Sequence, residues 1–260
     1  MNRPVRIAVQ FQPQHAEYPA IRRAVAEAEE MGVDAVFNWD HFFPLSGDAD
    51  GRHFECWSML AAWAEQTERV DIGALVTCNS YRNPDLLADM ARTVDHISEG
   101  RLIFGIGSGW FRRDYDEYGY DFGTKGSRLD ALARALPRIE SRWKALNPPP
   151  RRDIPVMIGG GGEKKTLRIV ARHADIWHGF GGADTIAHKH RVLERHCEDI
   201  DRDPAEIERS AGVSPRQPEA AEDYYMAGTR LFTMGLSGPD YDLTPVQDWL
   251  AWRNEKNQSG

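Results

Sequence analysis

The feature that most constrains the fold is a sustained alternation of short apolar runs with longer amphipathic ones. Val5–Phe11, Asp34–Trp39, Val70–Thr77, Arg101–Ile106, Ile154–Ile158, Asp175–Phe180, Ser210–Val213 and Arg230–Met234 read as strands. Ala16–Met31, His53–Glu68, Asn83–Ser98, Lys125–Leu146, Glu163–His173, Ala183–Asp201 and Pro245–Asn254 read as helices, with a further short one between the last two strands. Gly32 and Gly100 stand where helices end, and Asn83-Pro84 supplies a polar cap followed by a residue with a preset helical φ. Pro137 predicts a kink in the longest helix. Eight strand–helix pairs in 260 residues predict an α/β protein built as a (β/α)8 TIM barrel. An open doubly wound sheet is the alternative. The repeats run on to the C-terminus without a domain break, which favours one barrel domain over 1–260. Pro148-Pro149-Pro150 reads as a loop, and the polar tail from Glu255 is expected to fray.

Composition excludes several classes of partner. The net charge of −8 argues against nucleic acid and anionic membranes. Cys56, Cys78 and Cys197 are far apart and form no C-x-x-C pair, which points away from a disulfide framework or zinc site and toward a reducing cytoplasm. Met1 to Phe11 holds no long apolar segment of a signal peptide, and no run approaches the roughly 18 apolar residues of a membrane helix. His188, His190 and His196 do not make a metal motif, because residues two apart face different sides of a helix.

A barrel builds its site from the loops that follow its strands. There the sequence places Gln12, Gln14 and His15; then Trp39-Asp40-His41-Phe42-Phe43; then Thr77-Cys78-Asn79; then Gly105-Ile106-Gly107-Ser108-Gly109-Trp110; and finally Trp177-His178. After Ile154–Ile158 come four glycines, Gly159 to Gly162, followed by Glu163-Lys164-Lys165. Successive glycines let backbone N–H groups converge on one point, and a helix N-terminus adds partial positive charge, so this segment predicts an anion site for a phosphate. It is neither a P-loop nor a G-x-G-x-x-G fingerprint.

In order and spacing these motifs resemble the luciferase-like monooxygenase superfamily, in particular its coenzyme F420-dependent branch. The resemblance covers roughly Val5 to Gly182. It rests on Trp39-Asp40-His41-Phe42, on Leu75-Val76-Thr77 through Tyr81-Arg82-Asn83-Pro84, on Asp95-His96-Ile97-Ser98-Glu99-Gly100-Arg101, on Gly105 to Trp110, and on Ile158 to Gly162. It implies a cofactor ring across the C-terminal mouth and a cofactor phosphate held by the backbone of Gly160, Gly161 and Gly162. It also implies a non-prolyl cis peptide near Ala74-Leu75 and a homodimer. The family's insertion before the fifth strand is short or missing here. Relatives that oxidise sugar phosphates carry a glutamate immediately after the Gly-x-Gly-x-Gly run, where this chain has Trp110.

His41 is the acid–base candidate, since an imidazole exchanges its proton near neutral pH. The resemblance and strand-end placement make Asp40, Ala74, Leu75, Thr77, Asn79, Gly107, Ser108, Lys164 and Lys165 candidate cofactor contacts beside the glycines. Gln12, His15, Trp39, Trp110, Trp177 and His178 are the candidate walls of a substrate pocket. The function implied is an F420-dependent oxidoreductase passing hydride between the deazaflavin and a small organic C=C, C=N or C=O substrate. An FMN-dependent monooxygenase or a non-catalytic flavin-binding barrel is the alternative. Trp63 and Met59 extend the apolar surface of the second helix, so Trp63 is expected at a homodimer interface.

Overall fold

The computed structural model describes residues 3–259; Met1, Asn2 and Gly260, which the single-domain reading includes, lie outside the described residues. The chain alternates β1 (Arg6–Gln12), α1 (Tyr18–Met31), β2 (Ala35–Asn38), α2 (Cys56–Gln66), β3 (Asp71–Ala74), β4 (Thr77–Cys78), α3 (Pro84–Ile97) and β5 (Leu102–Gly107). It continues with α4 (Arg112–Tyr118), α5 (Lys125–Ala145), β6 (Val156–Gly159), α6 (Thr166–His173), β7 (Ile176–Gly179) and α7 (Ala183–Glu198). The last quarter holds β8 (Glu208–Val213), α8 (Ala221–Met226), β9 (Leu231–Ser237) and α9 (Val246–Ser259).

All strand pairs are parallel, in the order β3-β2-β1-β9-β8-β7-β6-β5-β4. A further β3–β5 pairing closes the sheet on itself. β3 and β4 form one stave interrupted at Leu75-Val76, so the barrel has eight staves. The longest ladder joins the first and last strands, β1 and β9, from Arg6↔Leu231 through Gln12↔Ser237. Alternate residues face opposite sides of a strand. Ala8 therefore joins Ala35, Phe37, Ile103 and Met157 inside the barrel, while its neighbours Ile7 and Val9 pack beneath the helices. Small Ala8 and Ala35 against large Phe37 and Met157 fill the interior without a central pore.

Glycines make the interruption of the third stave fit. A Cβ on Gly105 would overlap the Ala74 carbonyl oxygen at 1.8 Å. One on Gly107 would stand 2.7 Å from a Val76 methyl, and one on Gly159 would stand 3.2 Å from the other. Gly107, a candidate cofactor contact, still lines the cavity, but the space beside Gly105 and Gly107 is taken largely by the neighbouring stave.

Several boundaries differ from expectation. The cis peptide is Leu75-Val76, one bond beyond Ala74-Leu75. The turn of helix α4 carries no apolar stripe long enough to announce itself and was not anticipated. Helix α6 begins at Thr166 rather than Glu163. Glu163 is committed elsewhere: its carboxylate meets His188 Nε2 at 3.0 Å and Lys189 Nζ, and its carbonyl accepts from His196 Nε2 at 2.8 Å. Lys164 and Lys165 therefore lie in a turn, not on a helix. The polar tail is helical to Ser259, and Asn257 both accepts from Val5 N–H and donates to its carbonyl. Trp63 is wholly buried, edge-on to Phe11, and Met59 is buried too, so α2 presents neither at an interface. Among the described residues no helix is long and apolar enough to cross a membrane.

Replacing Gly105 by alanine forces a backbone contact apart, and overpacking of this kind typically costs about 1–3 kcal/mol. A urea midpoint for Gly105→Ala equal to that of the parent would show that the stave yields freely.

Candidate active site

The strands deliver their C-terminal ends to one cavity of about 390 Å3. Its floor is Gln10, Leu75, Val76, Thr77 and Cys78; Gly107, Ser108 and Gly109 line it beside Gly159 and Gly160; Trp39, Asp40, His41, Leu45, Trp110, His178 and Phe180 form the walls. A larger cleft of about 560 Å3 opens at the other end of the strands, against Trp143, Arg152 and His173. Barrels place their chemistry at the C-terminal face, which selects the first.

His41 does not act alone. Its Nδ1 lies 2.6 Å from Asp114 Oδ2, and the same carboxylate accepts Tyr81 O–H at 2.7 Å and Phe42 N–H at 3.0 Å. Asp114 is fully buried on α4. A carboxylate facing Nδ1 holds the proton on that nitrogen and leaves Nε2 as the nitrogen that meets a ligand. Trp39, Trp110 and Phe111 pack edge-on around the imidazole, with centroids 5.8, 5.7 and 5.5 Å away. Desolvation of the Tyr81 hydroxyl, reinforced by nearby Cys78 and Asp114, raises its pKa, so it remains a donor to Asp114.

Asp40 lines the cavity but is spent on the protein. It accepts Cys78 N–H at 2.9 Å and both guanidinium nitrogens of Arg82, at 2.6 and 3.0 Å. Burial pushes its pKa up, and Arg82 pulls against that. The group ties β2 to β4 and the loop before α3, with Arg82 also reaching Glu55 at 2.6 Å.

The glycine turn meets the cavity at Gly159 and Gly160. Gly160 has φ 126° and donates its N–H to His178 O at 3.1 Å, so its amide is not available to an anion. Gly161 and Gly162 follow at the rim. A Cβ on Gly162 would lie 2.7 Å from Thr166 Oγ1. The cation beside this turn is Lys189 of α7, whose Cε is 3.8 Å from where a Cβ on Gly161 would stand. Lys165 turns away to Asp130 at 2.8 Å, and Lys164 is exposed.

Of the expected walls, Trp39, Trp110 and His178 line the cavity. Gln12 and His15 do not. Gln12 accepts from Ser237 Oγ at 2.6 Å, and His15 Nε2 meets Ser46 O at 2.6 Å, so both organise loops behind the mouth. Trp177 alternates to the outer face of β7, fully buried, where its Nε1 donates to Gly160 O at 2.8 Å. Ala74 and Asn79 are buried just behind the lining. Thr77 Oγ1, Asn79 Oδ1 and His178 Nε2 are buried without a hydrogen-bond partner. Such orphaned polar atoms cost free energy until something satisfies them. Asp114, Gln10, Val76, Phe180 and Lys189 were not anticipated. For Asp114 a signal existed: an acidic residue seven positions past Gly107, the glycine-rich end of β5, and ahead of Gly119, which caps α4 with φ 71°.

A model of the luciferase-like monooxygenase family matches residues 4–255, and the chain belongs to that family. An F420-dependent glucose-6-phosphate dehydrogenase of Amycolatopsis mediterranei (strain U-32) is 30% identical over 186 residues, covering 64% of this chain and 52% of that protein. The chain thus spans about half the length of that relative. An F420-dependent secondary alcohol dehydrogenase, solved with an F420-acetone adduct, superposes with a TM-score of 0.84 at 16% identity, covering 94% of this chain and 96% of the other. The coenzyme F420-dependent tetrahydromethanopterin reductase of Methanopyrus kandleri gives 0.77 at 14% identity, covering 95% and 97%.

Burial drives the pKa of His178 down to about 3 and those of His53 and His190 down to about 4. The unfolded chain protonates these groups near pH 6.5 while the folded one does not. Proton binding then favours unfolding as pH falls from 6.5 toward the folded values. The urea midpoint is expected to drop between pH 6.5 and 5, above the range where carboxylates titrate; a flat profile there would show that these rings take up protons in place.

Proposed function

We propose that the chain is an F420-dependent oxidoreductase that moves a hydride between the deazaflavin and a small organic substrate. The observation that carries this reading is one cavity with a glycine turn at one edge and a carboxylate-backed histidine in the opposite wall. Family membership and the F420-dependent relatives support it.

The residues present fit the cofactor. Gly161 and Gly162 offer backbone amides at the rim, and Lys189, paired with Glu163, stands beside them as a cation that a phosphate would share with that carboxylate. Thr77 Oγ1 is an orphaned polar atom on the cavity floor, suited to the edge of a heteroaromatic ring. Val76, wedged against the Gly107 and Gly159 backbone, presents an apolar surface on which a ring can rest. When bound, a reduced deazaflavin supplies a hydride, its two electrons going to the substrate and the cofactor being left oxidised.

The chain's own task is the matching proton. His41 Nε2 faces the cavity, and the Asp114 carboxylate on Nδ1 orients the ring and stabilises it when it carries the second proton. Buried Trp39 and half-buried Phe111 screen its flanks, with exposed Trp110 at the rim. The tryptophan at 110 cannot take the part of a carboxylic acid, which leaves His41 as the proton carrier of this wall.

Titration of the protein with F420 and with FMN tests the cofactor. Tighter binding of F420 is expected, and a tenfold preference for FMN would move the reading to a flavin monooxygenase. A general acid–base contributes about 10²–10⁴-fold in rate. His41→Asn should lose turnover on that scale with cofactor affinity unchanged, and Asp114→Asn should lose a large part of it by releasing the ring. Equal turnover in both variants would reduce the pair to structural wall.

A further inference from the structure

The cavity is one-sided in its chemistry. Among the described residues no lysine or arginine lines it, and the carboxylate that does, Asp40, is already neutralised by Arg82. A phosphate or carboxylate entering the inner cavity would shed its water without meeting a counter-charge, which is unfavourable. Lys189, the nearby cation, stands outside at the glycine turn, where the reading above places the cofactor's phosphate.

What the wall does offer, besides Thr77 on the floor, is aromatic surface from Trp39, Trp110 and Phe180 and a second polar group with nothing to bond. His178 is 1% exposed. Its Nδ1 lies 2.8 Å from Ser210 Oγ, which lies 3.5 Å from Thr233 Oγ1. Its Nε2 has no partner. A Cβ on Gly212 would meet the Phe180 ring at 3.3 Å and stand 3.6 Å from that nitrogen, so Phe180 is the group that fills the space beside it. Phe180 covers the ring edge-on, centroid to centroid 4.7 Å, yet is itself 68% exposed and can turn aside without opening the core.

We infer that the substrate is an uncharged carbonyl compound whose oxygen is received by Nε2 of His178, beside Trp110 and Phe180. The inference rests on the oxidoreductase reading and narrows its substrate. When the Ser210 hydroxyl donates to Nδ1, the imidazole proton sits on Nε2 and donates to a carbonyl oxygen. When Nδ1–H donates to Ser210, which then donates to Thr233, Nε2 accepts from a hydroxyl. The same neutral ring therefore suits both a ketone and the alcohol formed when its carbon gains the hydride a reduced deazaflavin would supply and its oxygen gains the proton that His41 carries. Burial keeps that ring uncharged, with its pKa pushed down to about 3. Glucose 6-phosphate, for which a relative is named, is an anion that this wall has no group to hold.

The test uses a matched pair of probes, 2-cyclohexenone and its 3-carboxylate derivative, with glucose 6-phosphate as a third. Dissociation constants are read from tryptophan quenching, on the protein alone and after loading with F420. The enone should bind about tenfold more tightly than its carboxylate, as a lost charge-compensating partner predicts. Its carbonyl carbon should move downfield in the 13C spectrum on binding. His178→Leu should abolish that shift and weaken the enone about tenfold while leaving F420 affinity intact. His178→Asn, a neutral donor, should restore part of both. Equal or tighter binding of either anion overturns the inference, as does an unchanged enone affinity and carbonyl shift in His178→Leu. If that variant does not fold, the parent's ranking of the three probes and the Ser210→Ala shift decide. Failure of F420 to bind would defeat the cofactor reading separately, because the probes are also measured on the protein alone.

Discussion

The contact on which the rest depends is the close approach of the Ala74 carbonyl to the backbone at Gly105. With hydrogen in place of a side chain, the third stave can break at Leu75-Val76 and still pair with β5 on both sides of the break. The break pushes Val76 onto Gly107 and Gly159, and so sets the floor of the cavity. It also frees the Leu75 carbonyl, which accepts the side-chain amide of Gln10 at 2.7 Å across the barrel. A cavity thus arises from a defect in one stave, accommodated by small residues in the two beside it.

Above that floor, two buried carboxylates divide the work. Asp40 joins loops through Arg82 and the Cys78 amide, while Asp114 gathers an imidazole, a phenol and an amide. One fixes the frame, and the other fixes a single ring within it. Side chains that satisfy several donors at once are hard to shift, because any displacement leaves a buried polar group unpaired.

Much of the barrel was legible because it is written in local patterns. Period-two and helical spacing located the staves, and Asn83 caps α3 by accepting the Asp85 amide, as its place before Pro84 predicts. His41, Trp39, Trp110 and the glycine turn were legible as strand-end residues. What failed to show was set by distant partners. Asp114 gains its role from a histidine 73 positions away, and Glu163 is drawn out of helix α6 by side chains of α7. Lys189 comes near the glycine turn from that same helix, not from the adjacent lysines. Trp63 illustrates the converse error. Its apolar excess was real, but Phe11 of the first stave covers it from inside the chain. Gln12 and His15 stand after a strand as site residues do, yet their side chains bond Ser237 and Ser46.

The mouth is not equally built around its circumference. The arc from β2 to α4 is cross-linked by Asp40, Arg82, Glu55, Asp114 and Tyr81. The arc after β7 and β8 presents exposed Phe180, Gly181 and Gly182 and the exposed Ser214, Arg216 and Gln217. Substitutions on the first arc disturb several loops at once, whereas those on the second change what is touched without moving what is held. Such an arrangement separates a cross-linked frame from an open rim, so that the lining on one side of the mouth can vary without loosening the other.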